Sequence, residues 1–403
     1  MSHLILNLKI SKNYFIIVTV LYLALLPWYY IFSYNILKFI VSESSERFVI
    51  YNLFFNLALS LTIILGSFSI EKINIKFIVY LWVIFSIIGI VLIITIPFLN
   101  LKIVIYLFLS IIYGLTLLSY FIFFWKFTTI GERGRIAGFM GLIILPIFSI
   151  FSALINNLNF ITTGYICIFL SLLAFIIKFI KIDESILFKR EKIREFNPET
   201  KTIILYLIPW IIFSLINSTL AKTVNYYVWE HFAYSSLIYL RISQLIGSSI
   251  GALIGGIIAD FFGRRLSLVF GLSMYGISSA ISGLSRKYEL FLLAFTGNGI
   301  TWGIFLTLYS FVIWGDLSNK KTYPFRYSVG IIIPFLSTCI GVLFSPYLFQ
   351  ISLTDATILI SLLIFISNIP LLLAPELLPS DIREKIHLKL YLYLVKLRKR
   401  KFP

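Results

Sequence analysis

The sequence predicts an all-α membrane protein with twelve transmembrane helices arranged as two pseudo-symmetric six-helix halves. Three observations predict it. Of the 403 residues, 60% are hydrophobic and only 13% charged, where soluble domains carry about 25% charged residues. The apolar residues fall in runs of about 20 separated by short polar breaks, which is the length that crosses a hydrocarbon core. Lys and Arg are strongly sided, and small-residue, tryptophan and arginine landmarks recur at a nearly constant separation along the chain.

Taken in chain order, the spans are predicted at 14–34, 48–70, 77–97, 103–125, 137–157 and 160–180, then 202–222, 235–258, 266–285, 289–314, 328–350 and 355–374. The first run is too long for a secretory leader and lacks a small-residue cleavage site, so it is expected to remain as the first span. The longest polar interruption, 181–201, carries Lys189, Arg190, Lys192 and Arg194 and separates an amino-terminal half (1–180) from a carboxy-terminal one (202–374). Of the 34 Lys and Arg, 27 lie on the side shared by the amino terminus, the 181–201 linker and the carboxyl terminus; 6 lie in the opposite loops, and Arg241 lies within a span. This positive-inside bias places both termini in the cytoplasm, which requires an even number of spans. The plasma membrane is the expected location.

The net charge of +17 is spread between apolar runs and in the tail, which points to the membrane surface and not to nucleic acid. Cys167 and Cys339 each sit inside an apolar run, and His3, His231 and His387 are scattered, so neither a disulfide framework nor a metal or cofactor site is expected. Residues 375–403 form a basic tail. In it Ile382, Ile386, Leu390, Leu394 and Leu397 recur at helical spacing, and the segment reads either as an amphipathic helix on the inner leaflet or as a topology-setting basic end.

The densest motif joins spans eight and nine: Gly256-Ile-Ile-Ala259-Asp260-Phe-Phe262-Gly263-Arg264-Arg265. Gly256 and Ala259 allow helices to approach, Gly263 suits a tight turn, and Asp260 can cap the next helix or pair with an arginine. The first half carries an echo. Gly66 precedes Gly256 by 190 residues, Trp125 precedes Trp314 by 189, and Arg135 precedes Arg326 by 191. Such a repeat implies two homologous halves. The first copy is worn: Ile70 stands where the second has Asp260, and Asn74-Ile75-Lys76 replaces the Gly-Arg-Arg.

The Gly256–Arg265 segment resembles the signature loop of the major facilitator superfamily. The resemblance implies the major facilitator fold and a cytoplasmic gate of Asp260, Arg264 and Arg265 facing Asp316 and Arg326, with Arg135 as the counterpart of Arg326. Glu132-Arg133-Gly134-Arg135, Asp183-Glu184-Ser185 and Pro375-Glu376 resemble patterns of the sugar and other solute transporter branch. Span five lacks the glycine-rich Gly-Pro pattern of proton-coupled drug antiporters, having Gly138, Gly141 and an isolated Pro146.

By this segmentation all seventeen acidic residues fall outside the membrane midplane, which favours facilitated or exchange transport over proton coupling. Spans one, four, seven and ten are expected to line a cavity between the halves with Tyr30, Tyr113, Asn217, Asn225, Asn298 and Trp302, and Gln244 reaches it from span eight. Asn217 and Asn298 face either that cavity or another helix. Lys222 and Arg241 read either as snorkelling cations or as an outer vestibule for an anionic solute. Gly247, Gly251 and Gly255 form a small-residue stripe for close helix packing. The resemblance therefore implies a monomeric secondary carrier that moves a small polar solute, such as a sugar or organic acid, through the bilayer by alternating access. Proton-coupled efflux of amphipathic drugs is the alternative. A membrane-embedded enzyme fits less well, since no clustered His, Asp or Glu marks one membrane face.

Overall fold

The structure, a computed structural model, describes residues 10–41, 45–70, 73–155, 158–179, 198–232, 234–284, 287–319, 321–348, 350–385, 388 and 391. Its long elements are all helices. In the amino-terminal half, α1 runs Lys12–Val41 with a π-helical turn at Ile31–Ile36. α2 is Ser45–Ser69, α3 Ile75–Thr95, α4 Leu99–Phe127 and α5 Arg133–Ile155. α6 is Phe160–Leu173, continued as a 3-10 turn over Ala174–Phe179. In the carboxy-terminal half, α7 runs Thr200–His231 with a break at Thr219, and α8 is Tyr234–Phe261. α9 is Arg264–Leu284, α10 Tyr288–Asp316 with a π-helical turn at Leu308–Val312, α11 Tyr323–Leu348 and α12 Leu353–Leu373. Eleven of these are long and apolar enough, over the described residues, to cross a membrane. The twelfth, α5, is 23 residues long.

Lipid offers backbone groups no hydrogen-bond partners, so a spanning segment closes its bonds internally and ends where a polar cap is at hand. Asn74 Oδ1 accepts from Lys76 N at 2.9 Å to start α3, Asn159 Oδ1 from Thr162 N at 2.9 Å to start α6, and Ser352 Oγ from Asp355 N at 3.1 Å to start α12. Several helices outrun their apolar runs. The largest extension is in α7, predicted to end at 222 and observed to reach His231. The added piece is amphipathic and carries Asn225, Glu230 and His231, so hydropathy falls while the helical hydrogen-bond ladder continues. The Glu71-Lys72 pair, most of the 181–201 linker, and the tail from 386 other than residues 388 and 391 lie outside the described residues; 380–385 is helical.

Within the carboxy-terminal half, α8 packs on α10, α9 on α10 and α12, and α7 on α11 and α12. In the amino-terminal half, α4 packs on α2 and α3 and α3 on α6. The halves meet along two seams, α5 against α8 and α2 against α11. A six-helix shift turns one seam into the other, which is the pseudo-symmetry read from the 190-residue repeat.

The α5–α8 seam is a backbone contact. A Cβ at Gly138 would lie 2.7 Å from the Ala252 carbonyl, and one at Gly141 2.6 Å from the Ala252 Cβ. On another face of α8, Gly247 and Gly251 press on the Thr296 and Ile300 carbonyls of α10, and a Cβ at Gly255 would lie 2.7 Å from Ile304 Cγ1. The small-residue stripe is therefore the α8–α10 contact.

Candidate functional site

Two constellations carry polar chemistry. The first is a buried charge cluster where the loop between α8 and α9, the start of α5 and the end of α10 converge. Asp260 and Arg264 are each 0% exposed. Asp260 Oδ1 accepts from Gly134 N at 3.0 Å and Arg264 Nη1 at 2.8 Å. Its Oδ2 accepts from Arg135 N at 2.8 Å and Arg135 Nε at 3.2 Å. Asp316 receives Arg264 Nε on Oδ2 at 2.8 Å and the Arg133 guanidinium on Oδ1. Arg264 is thus held by both aspartates, and its remaining Nη2 donates to the Ile130 carbonyl in the opposite half.

Asp260 caps a helix, but not the one that follows it in sequence. Its carboxylate sits on the first free N–H groups of α5, where the helix dipole favours negative charge. The start of α9 is capped by Glu376, just beyond α12: Oε1 accepts from Arg264 N at 2.7 Å and Oε2 from Arg265 N at 3.2 Å. Gly263, with φ of 120°, makes the turn between α8 and α9, and a Cβ there would collide with the Glu376 carboxylate. Arg265 itself reaches the Ala374 carbonyl at 3.1 Å.

Arg326 does not join this cluster. It forms no ion pair with Asp260 or Asp316, and its buried Nη1 has no hydrogen-bond partner. The reason lies in the repeat. By pseudo-symmetry the α5–α8 pair Arg135–Asp260 corresponds at the α11–α2 seam to Arg326 and Ile70, and Ile70 is buried and uncharged. That seam closes instead through apolar contact, with the Phe68 and Phe325 rings 6.1 Å apart. Arg133, which takes up Asp316, was not singled out for this pairing by sequence, nor was the cap made by Glu376. Trp125 reinforces the closure, donating to the Gly315 carbonyl at 3.1 Å and stacking on Tyr323 with ring centroids 4.3 Å apart.

Behind the charges, an aromatic plug joins the halves. Phe311 of α10 packs on Tyr22 of α1 and on Phe121 and Phe124 of α4, with centroids 4.7 to 5.1 Å apart. The bundle is therefore closed at the end that carries the α8–α9 loop.

The second constellation is a cavity of about 200 Å³ within the carboxy-terminal half, bordered by α7, α8, α9, α10 and α12. Six sequence candidates line it: Asn217, Asn225, Arg241, Gln244, Asn298 and Trp302. Tyr275, Ser278, Ser279 and Ser282 of α9, together with Phe295, complete most of its wall. Asn217 resolves the choice between cavity and helix contact by doing both. It lines the cavity while its Oδ1 accepts from Tyr275 Oη at 3.0 Å and Trp302 Nε1 at 3.1 Å. Asn298 Oδ1 is buried with no partner.

The expectation of a cavity between the halves is corrected: the lining residues come from the carboxy-terminal half. Tyr113 is likewise corrected. It stacks on Trp28 at 5.1 Å, its hydroxyl donates to the Leu25 carbonyl at 3.1 Å, and Trp28 also meets Phe32 and Trp82. Helices α1, α3 and α4 thus fill with aromatic rings the place where α7, α9 and α10 build the Asn217–Tyr275–Trp302 triad. Tyr30 is not among the lining residues; it packs edge-on to Phe148 at 5.4 Å, within electrostatic reach of Arg241. Lys222 points to the Gly341 carbonyl of α11, 3.2 Å away.

A twelve-helix membrane protein with two related seams, a charge-latched end and a polar cavity among its helices has the anatomy of a secondary carrier. The sequence profile of the family described as "Sugar (and other) transporter" matches residues 212–314. The crystal structure of the human organic anion transporter MFSD10 (TETRAN) is similar in fold, with TM-score 0.66 at 11% identity over 89% of this chain and 98% of that one. A lincomycin resistance protein of Streptomyces lincolnensis is 36% identical over 89 residues, which span 20% of this chain and only 18% of that relative. The chain has the major facilitator fold, and together these findings support a transporter of the major facilitator superfamily.

Proposed function

We propose that the chain moves a small polar solute, such as a sugar or organic acid, across the plasma membrane by alternating access, binding it in the carboxy-terminal cavity and latching the cytoplasmic side with the Asp260–Arg264–Asp316 cluster. The observation that carries this reading is the pairing of a polar cavity with a closed, charge-held seam in one helical bundle. The described lining is neutral except for Arg241, which favours facilitated or exchange transport. Efflux of amphipathic drugs is the second reading, supported by the local likeness to the lincomycin resistance protein.

Counterflow in liposomes tests both. Preloading with glucose, benzoate, phosphate or lincomycin should give saturable accumulation of the labelled form of one of them, without need of a proton gradient. Linear flux that never saturates would overturn the carrier, and accumulation of lincomycin alone, driven only by a proton gradient, would favour efflux. The proposed orientation has both termini in the cytoplasm. A reporter fused to either end should be active only inside the cell; activity only outside reverses the topology.

A further inference from the structure

We propose that the solute taken by this cavity is an organic monoanion with an aromatic or comparably flat body, its negative group held by Arg241. This rests on the cavity being the transport site.

Arg241 is the charged residue of the described lining, and no carboxylate shares that wall. A guanidinium offers five N–H donors in a planar fork. Here one donor meets Gln244 Oε1 at 3.3 Å, and among the described residues Arg241 has no ion-pair partner. Arg241 lies 19 residues before Asp260 on α8, about 28 Å along the helix axis, and borders the cavity instead of pairing into the seam. Lys222, another cation, on α7, is tied to the Gly341 carbonyl.

Arg241 is exposed and lines the cavity without an ion-pair partner among the described residues, so its charge is open to a solute. A solute cation would be repelled by Arg241, and a neutral solute would gain nothing from its charge. A dianion would leave one negative charge unpaired among neutral amides and hydroxyls. One negative charge balances the wall.

The rest of the wall says what the anion is attached to. Tyr275 Oη and Trp302 Nε1 are both committed to Asn217 Oδ1, so these side chains offer a solute ring surface and not hydrogen bonds. Phe295 adds a third ring. Asn298 contributes a buried Oδ1 with no partner in the protein, a vacant acceptor suited to a hydroxyl on the solute body.

Three probes built on one phenol ring, with an anionic, a neutral and a cationic para group, test this: 4-hydroxybenzoate, 4-hydroxybenzamide and 4-hydroxybenzylamine, measured by isothermal titration on the full-length protein in detergent. The carboxylate should bind about tenfold to a hundredfold more tightly than the amide, as expected for one charge-assisted hydrogen bond, and the amine should not bind. Arg241→Gln should erase that preference while Arg241→Lys keeps part of it, with monodispersity and melting temperature confirming that both variants fold. Equal binding of the amide, or an unchanged preference in Arg241→Gln, would overturn the anion assignment, as would no binding of the carboxylate at millimolar concentration. In each of those cases saturable counterflow of another solute, lost on substituting Trp302→Ala, would leave the cavity as the transport site. Counterflow untouched by Trp302→Ala would remove the cavity itself.

Discussion

Asp260→Asn should unlatch the cytoplasmic side. The neutral amide keeps the shape of the side chain but replaces one acceptor oxygen by a donor, directly opposite N–H groups of Gly134, Arg135 or Arg264. It also removes the charge that compensates two buried arginines. Breaking one partner of a buried ion pair costs about 3–5 kcal/mol, and each 1.4 kcal/mol shifts a two-state population about tenfold. Because the lost bonds bridge the halves, the cost falls on the closed state, and the cytoplasm-open population should rise by roughly two orders of magnitude or more on these figures. Ser318, buried beside Asp316 with its hydroxyl on the Trp314 carbonyl, supplies the probe. In a background lacking Cys167 and Cys339, a cysteine at Ser318→Cys should be labelled by an impermeant maleimide from the cytoplasmic face far faster with Asp260→Asn than without it. Solute counterflow should fall in parallel while membrane insertion is retained. An unchanged labelling rate would remove the latch. Arg135→Ala should be milder, since the Gly134 and Arg135 amides and Arg264 still hold the carboxylate.

Most of this architecture is legible in the sequence because lipid makes polarity conspicuous. Asn217, Asn225, Gln244, Asn298 and Arg241 stand out within apolar helices, where each polar side chain needs a partner or a cavity, and all five line one cavity. The same logic fails for tyrosine. With 17% aromatic residues, most rings must pack, so Tyr113 in the Trp28–Trp82 core and Tyr30 beside Phe148 carry no signal that separates them from packing rings. Loop charges are ambiguous for a further reason. The positive-inside excess supplies many arginines near the cytoplasmic face, and only the fold selects among them. Arg133 meets Asp316 across 183 residues of chain, while Arg326, nearer in sequence, is left out because its pseudo-symmetric carboxylate has become Ile70. The placement of the cavity in one half is also a packing result. Trp28, Trp82 and Tyr113 occupy the volume that Asn217 and its partners leave open, and a repeat in spacing does not report a difference in volume.

Gly256→Leu should abolish transport by wedging the α5–α8 seam. A Cβ at Gly256 would overlap the Gly134 carbonyl oxygen and lie 2.9 Å from its carbon and 3.1 Å from Gly138 Cα. All three obstacles are backbone, so no rotamer change relieves them and the helices must separate. Overpacking of this kind costs about 1–3 kcal/mol, but here the displacement is amplified. Asp260 lies one helical turn further along α8 and depends on the Gly134 and Arg135 amides, so opening the seam also strains the bonds that hold it. Even Gly256→Ala should therefore lower counterflow. Gly66→Ala, the position equivalent by the repeat, is the contrasting case: its Cβ would meet the end of the Leu115 side chain at 2.6 Å. Leu115 can rotate, so that variant should keep near-normal transport and melting temperature. If the two alanine variants behave alike in counterflow and thermal melting, the α5–α8 seam tolerates the added methyl and the wedge account fails, because a backbone obstacle between the halves should cost more than the end of a rotatable side chain within one.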